Sequence, residues 1–306
     1  MRSVCIATLL GLSLQPQVVS QTYTDPVRIC TVSDGRIREA SGITPSLLYP
    51  GVFWIHNDSG DSPRLFAVGS DGVVIAEVAV ANAAAVDWEC IESGPGPEPG
   101  MPYLYIGDTG NNGLGRTDLR VYRIPEPKLP SLAPGQKLTS APAAKLRFTY
   151  PDGKFDCEGL AVHPVTGQIY LFAKKTAPSG VYRLTALVDD GLYHATERVS
   201  TLNVSGVVTG AAFSPGGLRL AIRTYGAVYE GLASSPSSLI SEVLAAPRLA
   251  KAPPEAQGEA VCYAFDGSAI HTISEGTGIP IFAIRLVAPA LVQYCVPDPS
   301  QVAIAP

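Results

Sequence analysis

Five short motifs along the chain each open with an oxygen-bearing side chain and continue with small or aliphatic residues. Three of the opening residues are glutamates, and a carboxylate among apolar neighbours is costly unless it is paired or coordinated. Carboxylates brought together repel one another, and a hard cation with oxygen ligands supplies the missing counter-charge. No histidine or cysteine cluster has the spacing of zinc ligands, which favours calcium. The predicted calcium ligands are Ser41, Glu89, Glu158, Thr209 and Glu259.

The same glutamates also have a metal-free explanation. They could cap turns, accept hydrogen bonds from backbone amides, or face a water-filled channel. Calcium takes six to eight oxygen ligands, so hydroxyls, carbonyls and waters would have to complete its coordination. Both explanations stay open at this point.

A second polar set follows the predicted second strand of each repeat. Its acidic members Asp58 and Asp61 could position or deprotonate water, with His56 as the alternative general base. Its basic members suit an anionic ligand such as a phosphate ester. Asp87, two residues before a predicted ligand, joins this set, whereas turn chemistry alone also explains residues 107–113. The predicted substrate-binding residues are Lys174, Lys175, Arg223 and Asp108.

The spacing of the motifs indicates the elements that position these side chains. Intervals of 48, 69, 51 and 50 residues separate the opening residues, each close to one four-stranded blade. The sequence therefore predicts an all-β, five-bladed β-propeller in which each motif begins a strand lining the central channel. The excess in the second interval falls in the Pro-rich stretch 125–142, predicted to be a surface excursion. A six-bladed propeller and a pair of β-sandwiches are the alternatives.

Apolar and alternating runs after each motif predict the remaining strands of the blades. The third repeat predicts an outer strand at 193–199, and the fourth repeat predicts strands at 218–222, 227–231 and 240–245. The fifth repeat lacks a fourth strand of its own. We expect the N-terminal segment 27–32 to supply it and to close the ring, which removes an exposed sheet edge.

The N-terminal residues predict export. Residues 1–20 have the three parts of a signal peptide. Arg2 supplies the positively charged N-terminal region, residues 4–14 form the apolar core, and residues 18–20 form a small-residue cleavage site. Residues 21–306 are then expected to be one secreted propeller domain. A net charge of -5 without a basic cluster argues against a nucleic-acid polymer or a membrane surface as partner. A monomer is expected.

Cysteines and glycosylation sequons fit an oxidising compartment. Five cysteines remain once Cys5 leaves with the signal peptide, so at most two disulfides form. Cys30 and Cys295, near the two ends of the mature chain, are a candidate disulfide pair. Sequons at Asn57 and Asn203 predict N-glycosylation if the host is a eukaryote.

The opening residues of the five motifs follow the order hydroxyl, Glu, Glu, hydroxyl, Glu. This order resembles the axial calcium site of the calcium-dependent apyrases, which are secreted five-bladed nucleotidases, with Thr209 where that family usually has serine. The resemblance does not extend to the catalytic loops, because residues 56–61 replace an Asp-Asp-Arg-Thr-Gly loop and the basic pair of the third blade is Lys174-Lys175. Residues 41–68 also resemble secreted propellers of unassigned function, which implies the fold alone.

Two functions follow from these patterns. The first is a calcium-dependent phosphohydrolase acting on nucleotides or similar anions, which the apyrase resemblance implies. The second is a non-enzymatic propeller, stabilised by calcium, that binds a glycan or a protein. No Gly-x-Ser-x-Gly elbow or Walker-type loop is present, which argues against a serine hydrolase and a P-loop enzyme.

Overall fold

The computed structural model describes residues 22–287. They form 23 β-strands, which are arranged in five sheets, and one short α-helix. The predicted signal peptide and Cys295 lie outside the described residues. The first strand of each sheet contacts the first strands of both neighbouring sheets, so these five strands close a ring around one axis. The predicted five-bladed β-propeller is confirmed.

The chain enters through the last blade and then builds blades one and two. The N-terminal strands are β1 (Thr22–Tyr23) and β2 (Val27–Val32). Blade one contains β3 (Ala40–Pro45), β4 (Val52–Asn57), β5 (Arg64–Gly69) and β6 (Val74–Ala79). Blade two contains β7 (Trp88–Pro95), β8 (Pro102–Asp108) and β9 (Arg120–Pro125); β10 (Gln136–Thr139) returns to blade one before β11 (Ala144–Thr149) completes blade two.

Blades three to five follow in the same order from the axis outwards. Blade three contains β12 (Cys157–Val162), β13 (Ile169–Ala173) and β14 (Ser179–Arg183); β15 (His194–Ala195) joins blade two, and β16 (Glu197–Leu202) completes blade three. Blade four contains β17 (Val208–Phe213), β18 (Arg219–Thr224) and β19 (Ala227–Leu232), then helix α1 (Ile240–Val243) and β20 (Arg248–Lys251). Blade five contains β21 (Gly258–Tyr263), β22 (Ala269–Ser274) and β23 (Ile279–Val287).

The N-terminal strand closes the ring as predicted. Strand β2 pairs antiparallel with β23, with Val32 opposite Ile279 and Val27 opposite Ala283. Strand β1 continues the contact, since Thr22 lies opposite Val287. The last blade thereby gains its fourth strand from the other end of the chain.

The structure corrects one predicted outer strand, divides a second between two blades, and adds a strand to the predicted surface excursion. Residues 240–245 begin with a helix because Ile240, Val243 and Leu244 are buried at helical spacing, and β20 is the fourth strand instead. The stretch 125–142 contains β10, which pairs in parallel with β6 and packs Leu138 against the core between blades one and two. The predicted strand at 193–199 divides between β15 and β16.

Apolar side chains fill the spaces between neighbouring blades. The four cysteines of residues 22–287 form no disulfide with one another, and the candidate pairing of Cys30 with Cys295 lies outside the described residues. In that part of the chain, no helix has the length and hydropathy needed to cross a membrane.

Candidate metal centre

The pairing of the first and second strands is interrupted at the same place in every blade. The register skips one residue of the first strand, as in a β-bulge, which re-aims the skipped side chain. The five skipped residues are the five opening residues of the sequence motifs, and each is at most 4% exposed. They are Ser41, Glu89, Glu158, Thr209 and Glu259.

One of these residues belongs to a compact group of carboxylates, which we call the carboxylate trio: Asp58, Asp87 and Glu89. Asp58 directly follows β4, and Asp87 directly precedes β7, where Glu89 is the bulge residue. One carboxylate oxygen from each residue lies within 4.8 Å of the other two. Among residues 22–287, no other three His, Cys, Asp or Glu side chains show this spacing.

The electrostatics of the trio are unfavourable without a counter-charge. Burial, together with the charges of Asp58 and Glu158, raises the pKa of Glu89 to about 10. Burial also raises the pKa of Asp58 and the pKa of Asp87. In the described part of the chain, no lysine or arginine forms an ion pair with the trio, since Arg116 pairs with Asp108 and Lys174 with Glu158 instead. An all-oxygen group of this kind fits a hard cation.

The loop after β8 holds Asp87 in place and closes one side of the trio. The Asp87 N–H donates to Asp108 Oδ1 at 3.1 Å, and the Gly110 N–H donates to the Asp87 carbonyl at 3.1 Å. A Cβ at Gly110 would lie 2.2 Å from Glu89 Oε1 and 2.4 Å from Asp87 Cγ. Asp108 is itself fully buried, 2.9 Å from Arg116 Nη2. The predicted substrate contact of Asp108 is therefore replaced by a positioning role.

The other two bulge glutamates have protein partners. Lys174 forms an ion pair with Glu158 Oε1, and its Nζ lies 3.8 Å from Asp156 Oδ2. Burial raises the pKa of Glu158 to about 8 although Lys174 opposes this shift, and the buried Oε2 atom has no hydrogen-bond partner. Glu259 Oε1 accepts a hydrogen bond from Gln257 Nε2 at 2.8 Å. Sequence reasoning did not identify Gln257 as a partner.

The two hydroxyl residues of the ring tie neighbouring blades together. Ser41 Oγ donates to the Glu89 carbonyl at 2.9 Å and lies 3.4 Å from Glu89 Oε2. Thr209 Oγ1 donates to the Gly258 carbonyl at 2.8 Å. The five predicted calcium ligands are thus equivalent in the fold, but of these only Glu89 lies in the trio, and Asp58 and Asp87 complete it.

Two of the three predicted catalytic residues are not members of the trio. His56 is fully buried, its Nδ1 is 2.8 Å from the Asn57 carbonyl, and burial lowers its pKa to about 4. Asp61 binds Arg64 at 2.8 Å and accepts a hydrogen bond from Asn57 at 2.7 Å. Both side chains are thus held by their own loop. Asp58 is the predicted catalytic residue that reaches the trio.

Arg223 is also removed from the channel mouth. Its side chain is fully buried, and Nη2 lies 2.7 Å from Glu255 Oε2 in a pair that is almost entirely shielded from solvent. Gly258 makes room for it, because a Cβ there would lie 1.4 Å from Arg223 Nη2. The predicted contact of Arg223 with a substrate is not available in this packing.

The predicted lysines do border an open space. A cleft of about 530 Å³ is lined by three lysines, two aromatic rings and several apolar residues, and it reaches the Asp156–Lys174 contact beside the axis. Lys175 is exposed in it. The basic and aromatic residues that line the cleft are Lys154, Phe155, Lys174, Lys175 and Tyr225.

The two sequons differ in accessibility. Asn57 is 7% exposed, and its Nδ2 donates to the Arg36 carbonyl at 2.8 Å and to Asp61 at 2.7 Å. A glycan on that nitrogen is incompatible with this packing. Asn203 is exposed, and its glycosylation stays a prediction.

Fold and site together define a five-bladed β-propeller with a carboxylate trio at one end of its axis. No protein-family model and no curated protein matches the chain. Similar solved structures include a PQQ-bound aldose sugar dehydrogenase from Streptomyces coelicolor, with 11% identity, a TM-score of 0.48 and coverage of 86% of this chain and 98% of that chain.

Two further structures share the fold. A gluconolactonase from Xanthomonas campestris has 11% identity, a TM-score of 0.49 and coverage of 87% of this chain and 97% of that chain. The calcium-binding protein regucalcin from Agrobacterium tumefaciens has 13% identity, a TM-score of 0.45 and coverage of 88% and 96%. At such identities and TM-scores, these likenesses carry no argument about substrate or cofactor.

Proposed function

We propose that this chain is a secreted calcium-binding β-propeller whose cation is held by Asp58, Asp87 and Glu89. The observation that supports the proposal is the trio itself: three carboxylate oxygens within 4.8 Å of one another. The buried, unpartnered Oε2 of Glu158 supports it independently, because its charge is close enough to raise the pKa of Glu89. Oxygen-only donors favour calcium over zinc, and extracellular calcium is abundant enough for a site of modest affinity.

Gly110 provides a sharp test of this site. We expect Gly110→Ala to weaken calcium binding at least tenfold, equivalent to about 1.4 kcal/mol, because the added Cβ would push on both Asp87 and Glu89. The matched control is Gly113→Ala in the same loop, where a Cβ would meet nothing within 4 Å. Calorimetric titration with Ca²⁺ gives both affinities. Equal affinities for the two variants would contradict the assignment.

The lysine cleft extends the proposal to a small anionic ligand. Lys175 is exposed and unpaired with any carboxylate among the described residues, so it is free to meet a phosphate ester. Lys174, held by Glu158, lies between the cleft and the axis. Calcium at the trio would polarise a phosphoryl oxygen of such a ligand. The proposed activity is hydrolysis of a nucleotide or a related anion.

A non-enzymatic binding propeller is the second candidate. It is favoured by the positions of His56, Asp61 and Arg223, which are enclosed by Asn57, Arg64 and Glu255. With Asp58 assigned to the cation, no other predicted catalytic base faces the ligand cleft in residues 22–287. In this alternative, calcium stiffens the disc and the cleft only binds.

Phosphate release separates the two candidates. We expect the mature protein to release phosphate from nucleoside triphosphates with Ca²⁺ and to stop doing so with chelator. Lys175→Ala should raise KM several-fold with little change in kcat, because it removes ligand binding only. Lys128→Ala, an exposed lysine elsewhere, is the control. Calcium-dependent nucleotide binding without turnover would establish the binding propeller and exclude the hydrolase.

A further inference from the structure

A second cavity lies at the opposite end of the propeller axis from the carboxylate trio. Its volume is about 440 Å³, and the last residue of each of the five innermost strands lines it. Between the two ends, residues of these strands, among them Ser41, Glu92 and Thr209, leave a space of only about 10 Å³. The second cavity is thus independent of the proposed calcium site. The five strand-end residues are Pro45, Pro95, Val162, Phe213 and Tyr263.

The walls and rim of this cavity are mostly apolar. Leu48 and Met101 are each 37% exposed at the cavity, and Phe265 is 46% exposed. These side chains come from different blades, so the exposed apolar surface is gathered at one opening. An open cavity of this size with a mostly apolar lining is typical of a site for a small organic ligand.

One ionisable side chain interrupts the apolar wall. Glu92 is 5% exposed, lines the cavity, and has an Oε1 atom with no hydrogen-bond partner. Among residues 22–287, no lysine, arginine or histidine forms an ion pair with it, and Cys262 is a neighbour on the cavity wall. Burial alone raises the pKa of Glu92 well above its usual range, which favours the protonated carboxyl group, a form with one O–H donor.

We propose that this cavity binds a small neutral molecule with an apolar body and one hydrogen-bond-accepting oxygen, such as a ketone or an ether, which accepts from the Glu92 carboxyl group. An unpartnered buried polar atom costs free energy, and the ligand oxygen would remove that cost. An amine is disfavoured because it would form an ion pair in an apolar wall, where both charges lose their hydration. The apolar rim contacts the ligand body.

Fluorescence titration with prodan, a neutral naphthyl ketone, tests this site in the full mature protein. The emission of prodan responds both to apolar surroundings and to hydrogen bonding at its carbonyl. We expect saturable binding that Glu92→Leu weakens at least tenfold and that Glu92→Gln, which keeps a donor, changes by less than about threefold. Phe265→Ala should weaken binding, and Leu239→Ala, 66% exposed elsewhere, should not.

Folding of the variants is checked by thermal unfolding. Glu92→Leu should unfold at or above the wild-type midpoint, because an apolar side chain replaces an unsatisfied buried group. Undiminished binding of prodan to a folded Glu92→Leu variant would overturn the proposal. Tighter binding of a naphthylalkylamine than of prodan would overturn it as well, since it would show an ionised Glu92.

Discussion

Glu89→Gln is expected to remove most of the calcium-dependent rise in the thermal unfolding midpoint. A ligand at a hundred times its Kd stabilises the folded state by about 2.7 kcal/mol, which corresponds to roughly 5–10 °C in a domain of this size. Glu89 is the most enclosed member of the trio at 2% exposure, so water cannot replace its oxygen easily. Unfolding followed with Ca²⁺ and with chelator measures the difference.

The same substitution should behave differently in chelator. Glutamine has nearly the shape of a protonated glutamate, and burial with neighbouring charges already raises the pKa of Glu89 to about 10. The variant should therefore unfold at or above the wild-type midpoint when no calcium is present. Glu92→Gln is the matched control, because Glu92 is a buried glutamate three residues further along the same strand and lines the second cavity. An equal loss of the calcium effect in both variants would refute the assignment.

Arg223→Met is expected to lower the free energy of unfolding by about 3–5 kcal/mol. The substitution leaves the carboxylate of Glu255, whose side chain is 1% exposed, without its partner at 2.7 Å. Burial already raises the pKa of Glu255, and loss of Arg223 removes the charge that opposes this shift. Urea unfolding at neutral pH measures the change.

Two comparisons make the Arg223 result specific. Adding Glu255→Gln to Arg223→Met should recover a large part of the lost stability, because the double variant buries no unpaired charge. Lys175→Met, on an exposed lysine, should change the stability by less than about 0.5 kcal/mol. A loss below about 1 kcal/mol for Arg223→Met would show that the Arg223–Glu255 pair is open to water. Arg223 would then again be a candidate substrate-binding residue at the channel mouth.

The blade repeat could be predicted from the sequence because it depends on local spacing. The five opening residues fall on the five bulges of the innermost strands, and the N-terminal segment closes the last blade with the predicted bounds Val27–Val32. Strand pairing of this kind follows from alternation and turn positions, which lie within one repeat. Helix α1 was missed because a six-residue stretch with four apolar residues, 240–245, is too short to separate a strand from a helical turn.

The partners of the polar residues could not be predicted, because only the fold brings them together, either within one blade or between neighbouring blades. His56 packs edge-on against Trp88 of the next blade, with ring centroids 5.7 Å apart, and Arg223 fills the space beside Gly258. Lys174 was assigned to a substrate but forms an ion pair with Glu158 Oε1, so that only Oε2 of this glutamate is left without a partner. The sequence did carry one signal of this packing, a glycine next to a bulge residue. Gly42 and Gly258 lack a Cβ where the side chains of His56 and Arg223 lie.

The most direct test of the trio uses Trp88, which lies between Asp87 and Glu89 in the chain and is one of two tryptophans. Terbium, a luminescent substitute for calcium, emits strongly when a nearby excited tryptophan transfers energy to it. We predict tryptophan-sensitised terbium emission that Ca²⁺ displaces, that Glu89→Gln abolishes, and that Trp88→Phe reduces while calcium binding persists. Undiminished emission from both variants would show that the cation binds elsewhere and would contradict the proposed site.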